Sequence, residues 1–196
     1  MTSLNLRLQL ICLFLAFIFY HCNPEPHTSK KNLDEAILSD TSSFYYVDVT
    51  NYPVKNKKLP IGIFDSGTGG LTVMDAIVNY DGFNNQNKTL SSDGILDFEK
   101  ECFIYLADQA NMPYGNYPSL GKTDVLKEHI LKDFQFLLSN KYYQSSGDEE
   151  FKIDKTPVKA IVIACNTATA YGMDDIETFL KKAKLDIKVI GVINAG

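Results

Sequence analysis

Cys165 closes the most apolar stretch of the chain, Ile161-Val162-Ile163-Ala164, and is followed at once by Asn166 and Thr167. A thiol so placed has two readings. It is a buried structural cysteine, or it is a thiolate at a helix start, where backbone N–H donors draw a pKa of about 8.5 toward the working range. Two further strand-like runs also end in polar groups: Asp65-Ser66-Gly67 after IGIF, and Asp108 after FIYLA, the latter leading into Pro113-Tyr114-Gly115. The glycines of GTGG at 67–70 let backbone amides approach a carboxylate or phosphate at a helix N-terminus, or they serve a tight turn alone. The lysine of a P-loop and the GxGxxG spacing of a dinucleotide site are both absent. Cys102 stands at the start of its strand, the end opposite these groups, and is expected in the core. His129 reads as a packing or surface residue.

These groups share one pocket only if the elements before them are parallel strands. LPIGIFD, CFIYLAD, VKAIVIA and IKVIGVI are short apolar runs. Helical patterns separate them: GLTVMDAIVNY with Leu71, Met74, Ala76, Ile77 and Tyr80 on one side, Thr123 to Leu138, and TATAYGMDDIETFLKKAK. Alternation of near-continuous apolar strands with helices predicts an α/β fold, an open, mostly parallel sheet with flanking helices. Ligands of such sheets bind beyond the carboxyl ends of the strands, where all three polar groups fall. Residues 81–100 and 139–157 are polar, turn-rich surface excursions.

Ahead of this body, residues 1–22 carry one charge at Arg7 and then an apolar run to Tyr20. The run is short for a bilayer span of roughly 20 residues and suits a secretory leader or short anchor. Cys22 follows directly, resembling a bacterial lipoprotein site, although Phe19-Tyr20-His21 are bulkier than such processing sites accept. The alternative is a hydrophobic extension that tethers the chain or is trimmed. Residues 23–58 read as a polar linker, with an edge strand or surface patch at 44–49, and the α/β domain is expected over 59–196. A net charge of -5, from 19 basic and 24 acidic residues, leaves no basic stripe for a nucleic-acid backbone. The cysteines, at 12, 22, 102 and 165, are too few and too scattered for a disulfide scaffold or zinc knuckle. With His21, His27 and His129 forming no HExxH-type arrangement, no protein-built metal site is expected.

IGIFDSGTGGLTV, IYLADQANMPYG, IVIACNTATA and VIGVI, in this order, resemble the cofactor-independent glutamate racemases of the aspartate/glutamate racemase superfamily. The resemblance spans roughly residues 60–193. It implies the first lobe of a two-domain pseudo-symmetric α/β fold that interconverts L- and D-glutamate for peptidoglycan synthesis without a cofactor. By the same resemblance Cys165 is one of two catalytic cysteines and Asp65 a proton-handling or orienting group beside it. Asp65, Ser66, Tyr114, Gly115, Asn166 and Thr167 match substrate-binding segments.

The family's second lobe, with the other thiol in a cysteine-threonine-histidine segment, has no counterpart here, so the sequence reads as truncated before it. Two classes stay open. One is a racemase relative on glutamate or aspartate, completed by a second lobe or a second copy. The other is a non-catalytic exported carboxylate-binding or relic protein. A functional leader implies the cell envelope or periplasm, with a tether to the membrane through the N-terminus, whereas the family acts in the cytoplasm.

Overall fold

Four strands, β1 (Ile61–Asp65), β2 (Phe103–Ala107), β3 (Ala160–Ile163) and β4 (Lys188–Gly191), form one sheet in the order β2-β1-β3-β4, with every neighbouring pair parallel. The computed structural model describes residues 30–194. The expectations for the leader 1–22, including Cys12 and lipidation of Cys22, lie outside the described residues, as do His21, His27 and Ala195-Gly196. Among the described residues no helix is long and apolar enough to cross a membrane.

The helices are α1 (Lys30–Leu38), α2 (Leu71–Val78), the short α3 (Asn116–Ser119), α4 (Thr123–Leu138) and α5 (Asn166–Ala183), with a 3-10 turn at Val192–Asn194 after β4. α4 occupies the range its apolar spacing predicts. Its buried residues Leu126, Ile130, Phe134, Leu137 and Leu138 recur at helical spacing and pack against α5 and the sheet. Gly172 lets the two helices approach, since a Cβ there would lie 2.5 Å from Ile130 Cγ2.

Strand parity divides the sheet. Phe64, Ile161 and Ile163 point into the main core with the half-buried Ile104, Leu106 and Val189 beside them. The residues between them, Ile63, Asp65, Tyr105, Val162 and Ile190, belong to the opposite face by the period of two and the strand register. Each fully buried Ile or Phe on the core face contributes roughly 1.5–3 kcal/mol over exposure.

Three expectations need correction. The stretch read as a polar linker packs into the body over its described part: α1 buries Leu33 and Ile37, and Val47 and Tyr52 join the same core. The Tyr52 hydroxyl donates to the Val158 carbonyl at 2.7 Å, and Lys141, itself buried, donates to the Ser43 carbonyl at 2.5 Å, so partners distant in sequence hold this segment. Cys102 is exposed rather than in the core, because it precedes β2, and β2 is an edge strand with every residue only half-buried. α2 forms where expected but contains no fully buried residue, and Leu71 and Tyr80 are exposed.

The two polar excursions are loops. In 81–100 the Asp81 carboxylate accepts from the Ser92 hydroxyl at 2.6 Å and from the Asp93 and Gly94 amides. In 139–157, Tyr143 and Phe151 stack with Phe44 of the N-terminal segment, at centroid distances of 4.8 and 5.8 Å.

Candidate functional site

The order of the strands creates the site. From β1 the chain passes through α2 to β2 on one side, while from β3 it passes through α5 to β4 on the other. Between β1 and β3 the progression reverses, and a crevice opens outside their carboxyl ends, the place where open α/β sheets bind ligands. Asp65-Ser66 leave β1 there, and Ala164-Cys165-Asn166 leave β3. A cavity of about 320 Å³ lies in this crevice, lined by Asp65, Gly69, Thr72, Ala164, Cys165, Asn166 and Thr167 among others.

Cys165 is 6% exposed and caps the N-terminus of α5, its Sγ accepting from the Ala168 N–H at 3.4 Å. That is the role a serine or aspartate oxygen usually plays. The unpaired N–H groups and aligned dipoles at the start of an 18-residue helix surround this sulfur. Ser66 Oγ lies 3.4 Å from the same sulfur.

Asp65 is buried, and its Oδ2 accepts from the Gly70 N–H at 2.9 Å. This close turn demands glycine: a Cβ on residue 70 would lie 2.8 Å from Asp65 Cβ and 2.9 Å from Ala164 Cβ. Tyr105, from the neighbouring strand, donates to the Gly67 carbonyl at 3.1 Å and steadies the turn. Burial, and then the negative Asp65 beside it, hold the Tyr105 phenol above its ordinary pKa, so it stays a donor. Its part in the site escapes the sequence, because only the register of β1 on β2 puts it on the same face as Asp65.

Among the expected site residues, Asp65, Cys165, Asn166 and Thr167 line one cavity, and Ser66 reaches it through its contact with Cys165. Tyr114 does not line it. It is 1% exposed, and its hydroxyl is engaged by Asp108 and Asp133 on the far side of the strand ends. Gly115 is exposed at the start of α3, with open space where a Cβ would stand. Thr72, Val73 and Val192, which the sequence does not single out, also line it. Among the described residues no Lys or Arg lines the cavity, so an anionic group held there would rest on backbone N–H groups and the side chains of Ser66, Thr72, Asn166 and Thr167. Among the described residues no cluster of His, Cys, Asp or Glu could hold a metal ion.

No protein-family model matches the chain. It is 34% identical over 136 residues to a glutamate racemase of Clostridium novyi, an alignment covering 69% of this chain and 36% of that protein. Its identity to a glutamate racemase of Latilactobacillus sakei is 32% over 140 residues, 71% of this chain and 36% of the relative. A solved glutamate racemase from Thermus thermophilus, in complex with beta-chloro-D-alanine, aligns at 31% identity and a TM-score of 0.43, covering 69% of this chain and 37% of that one. The chain thus matches little more than a third of the length of these relatives.

Proposed function

We propose, for a chain that belongs to the aspartate/glutamate racemase superfamily, that the crevice binds glutamate and that Cys165 exchanges its α-proton on one face. The observation that carries this reading is the sulfur's position. It caps a helix, 3.4 Å from the Ala168 N–H and 3.4 Å from the Ser66 hydroxyl, and lines the same cavity as a buried carboxylate. A carboxylate and a helix N-terminus make a complementary pair for an amino acid: Asp65 takes the ammonium group, and the donors of Asn166 and Thr167 take a carboxylate.

In the step proposed, the Cys165 thiolate removes the α-proton and the C–H electron pair moves into the adjacent carboxylate, giving a dianionic enolate. Donors around the crevice stabilise that developing charge. The thiol then returns a proton to the same face. A thiolate suits the task because it is a compact base that amide donors at a helix terminus can orient. Inversion requires a second acid on the opposite face, and among the described residues Cys165 is the only thiol lining the crevice. Cys102 stands at the opposite end of the sheet. Net racemisation, and with it supply of D-glutamate for peptidoglycan, needs such an acid, supplied by a second lobe or a second copy. A non-catalytic carboxylate-binding role is the alternative.

Alkylation tests the reading. With Cys12, Cys22 and Cys102 replaced by serine, iodoacetamide is expected to modify Cys165 and glutamate to slow the reaction. An inert Cys165, or one whose modification glutamate leaves unchanged, contradicts it.

A further inference from the structure

Behind the crevice three acidic groups meet at one oxygen. The Tyr114 hydroxyl lies 2.6 Å from Asp108 Oδ2 and 2.6 Å from Asp133 Oδ2. A phenol has one hydrogen and donates once, while two oxygen pairs this close each need a proton between them. The second proton therefore sits on a carboxyl group. Asn111 identifies which one: its amide donates to both Asp108 oxygens, at 2.9 and 3.0 Å, which fits Asp108 as the ionised acceptor. Asp133, on α4, is the acid, and it donates to the phenol oxygen while the phenol donates to Asp108.

The cluster reaches the site through one residue. The Asp108 N–H donates to the Asp65 carbonyl at 3.0 Å, and the Asp65 carboxylate accepts from Gly70. From the same loop, Met112 approaches the turn at Gly67, where a Cβ would lie 3.8 Å from its sulfur. The geometry points to a proton-dependent latch: the proton shared by Asp133, Tyr114 and Asp108 fastens the 108–115 loop to α4 and so fixes the strand end that presents Asp65. Asp133 does not line the cavity, so it is a positioning residue.

The surroundings give the direction of the pH dependence. Burial raises the Asp133 carboxyl to about 7, with the Asp108 charge adding to this and the Tyr114 bond and Lys132 opposing it. Lys132 is itself paired with Glu128 at 2.7 Å and interacts with Tyr45. His129, edge-to-face with Tyr117, is held below its usual pKa by burial, with the Asp108 charge opposing this. In the unfolded chain Asp133 titrates as an ordinary carboxylate, near 3.9. The folded pKa is the higher one, so the contribution to stability is complete below the unfolded value and is lost as pH rises through about 7.

The test is backbone amide exchange over residues 108–116 in the full chain, corrected for intrinsic rates, from about pH 5 to about pH 9. Protection in the native protein is expected to fall by about tenfold or more between about pH 5 and about pH 7 and to level off above that. It should stay level in Asp133→Asn, whose amide donates where the acid did. Parallel pH dependences in the two proteins would overturn the latch. A measurement needing no variant stands beside it: the Asp133 carboxyl carbon should titrate near 7 by NMR, and a midpoint in the ordinary carboxylate range would also overturn it. Neither arm uses glutamate or activity, so failure here is distinguishable from failure of the Cys165 reading.

Discussion

The two faces of the sheet are finished differently. On one, Phe64, Ile161 and Ile163 are sealed under the core built with α1, α4 and α5. On the other, Asp65 is buried beside Tyr105, yet α2 offers no fully buried residue and Ile190 stays 42% exposed. Leu71, Met112 and Ile193, near the crevice along the chain, are exposed as well. Strand parity thus divides the sheet unequally: one phase supplies most of the buried apolar residues, while the other carries Asp65 and Tyr105 at the crevice. Ile63, fully buried, is the apolar exception on this second face.

Substitutions can sharpen or break this contrast. The largest loss is expected from Phe64→Ala on the core face, about 3–5 kcal/mol by urea denaturation. A loss under about 1 kcal/mol would mean that the core face is not the stabilising one. Next comes Ile37→Ala on α1, expected to cost about 2–4 kcal/mol because the residue is fully buried. A true linker would show almost no change, so this variant also checks the packing of residues 30–58. The smallest effect belongs to Ile190→Ser on the other face, expected within about 0.5 kcal/mol. A cost comparable to that of Phe64→Ala would erase the distinction between the faces.

Much of the scaffold is legible in the sequence because it is local. The apolar runs ending at Asp65, Asp108 and Cys165 mark strands, and the 3.6-residue spacing of Leu126, Ile130, Phe134 and Leu137 marks α4. Placing Asp65, Cys165, Asn166 and Thr167 in one pocket needs only the rule that parallel strands share their carboxyl ends. What depends on partners remote in sequence is not legible. Leu33, Ile37, Val47 and Tyr52 are scattered through polar residues, and their burial rests on α4 and on contacts such as that of Tyr52 with Val158. Tyr114 looks like a crevice residue from its neighbours Pro113 and Gly115, and only the position of Asp133 on α4 shows that its hydroxyl turns away. Cys102 sits beside an apolar run, but its exposure follows from β2 lying at the sheet edge.

The central claim, that Cys165 acts as a base on the α-carbon, is tested most directly by following the α-hydrogen of L- and D-glutamate by proton NMR in deuterated water. The native chain and Cys165→Ala are compared under the same conditions. Because the sulfur serves one face, exchange is expected with one enantiomer, with retention of configuration, little net conversion, and loss of the signal in Cys165→Ala. Absence of exchange with both enantiomers, or exchange that persists in Cys165→Ala, would contradict the account.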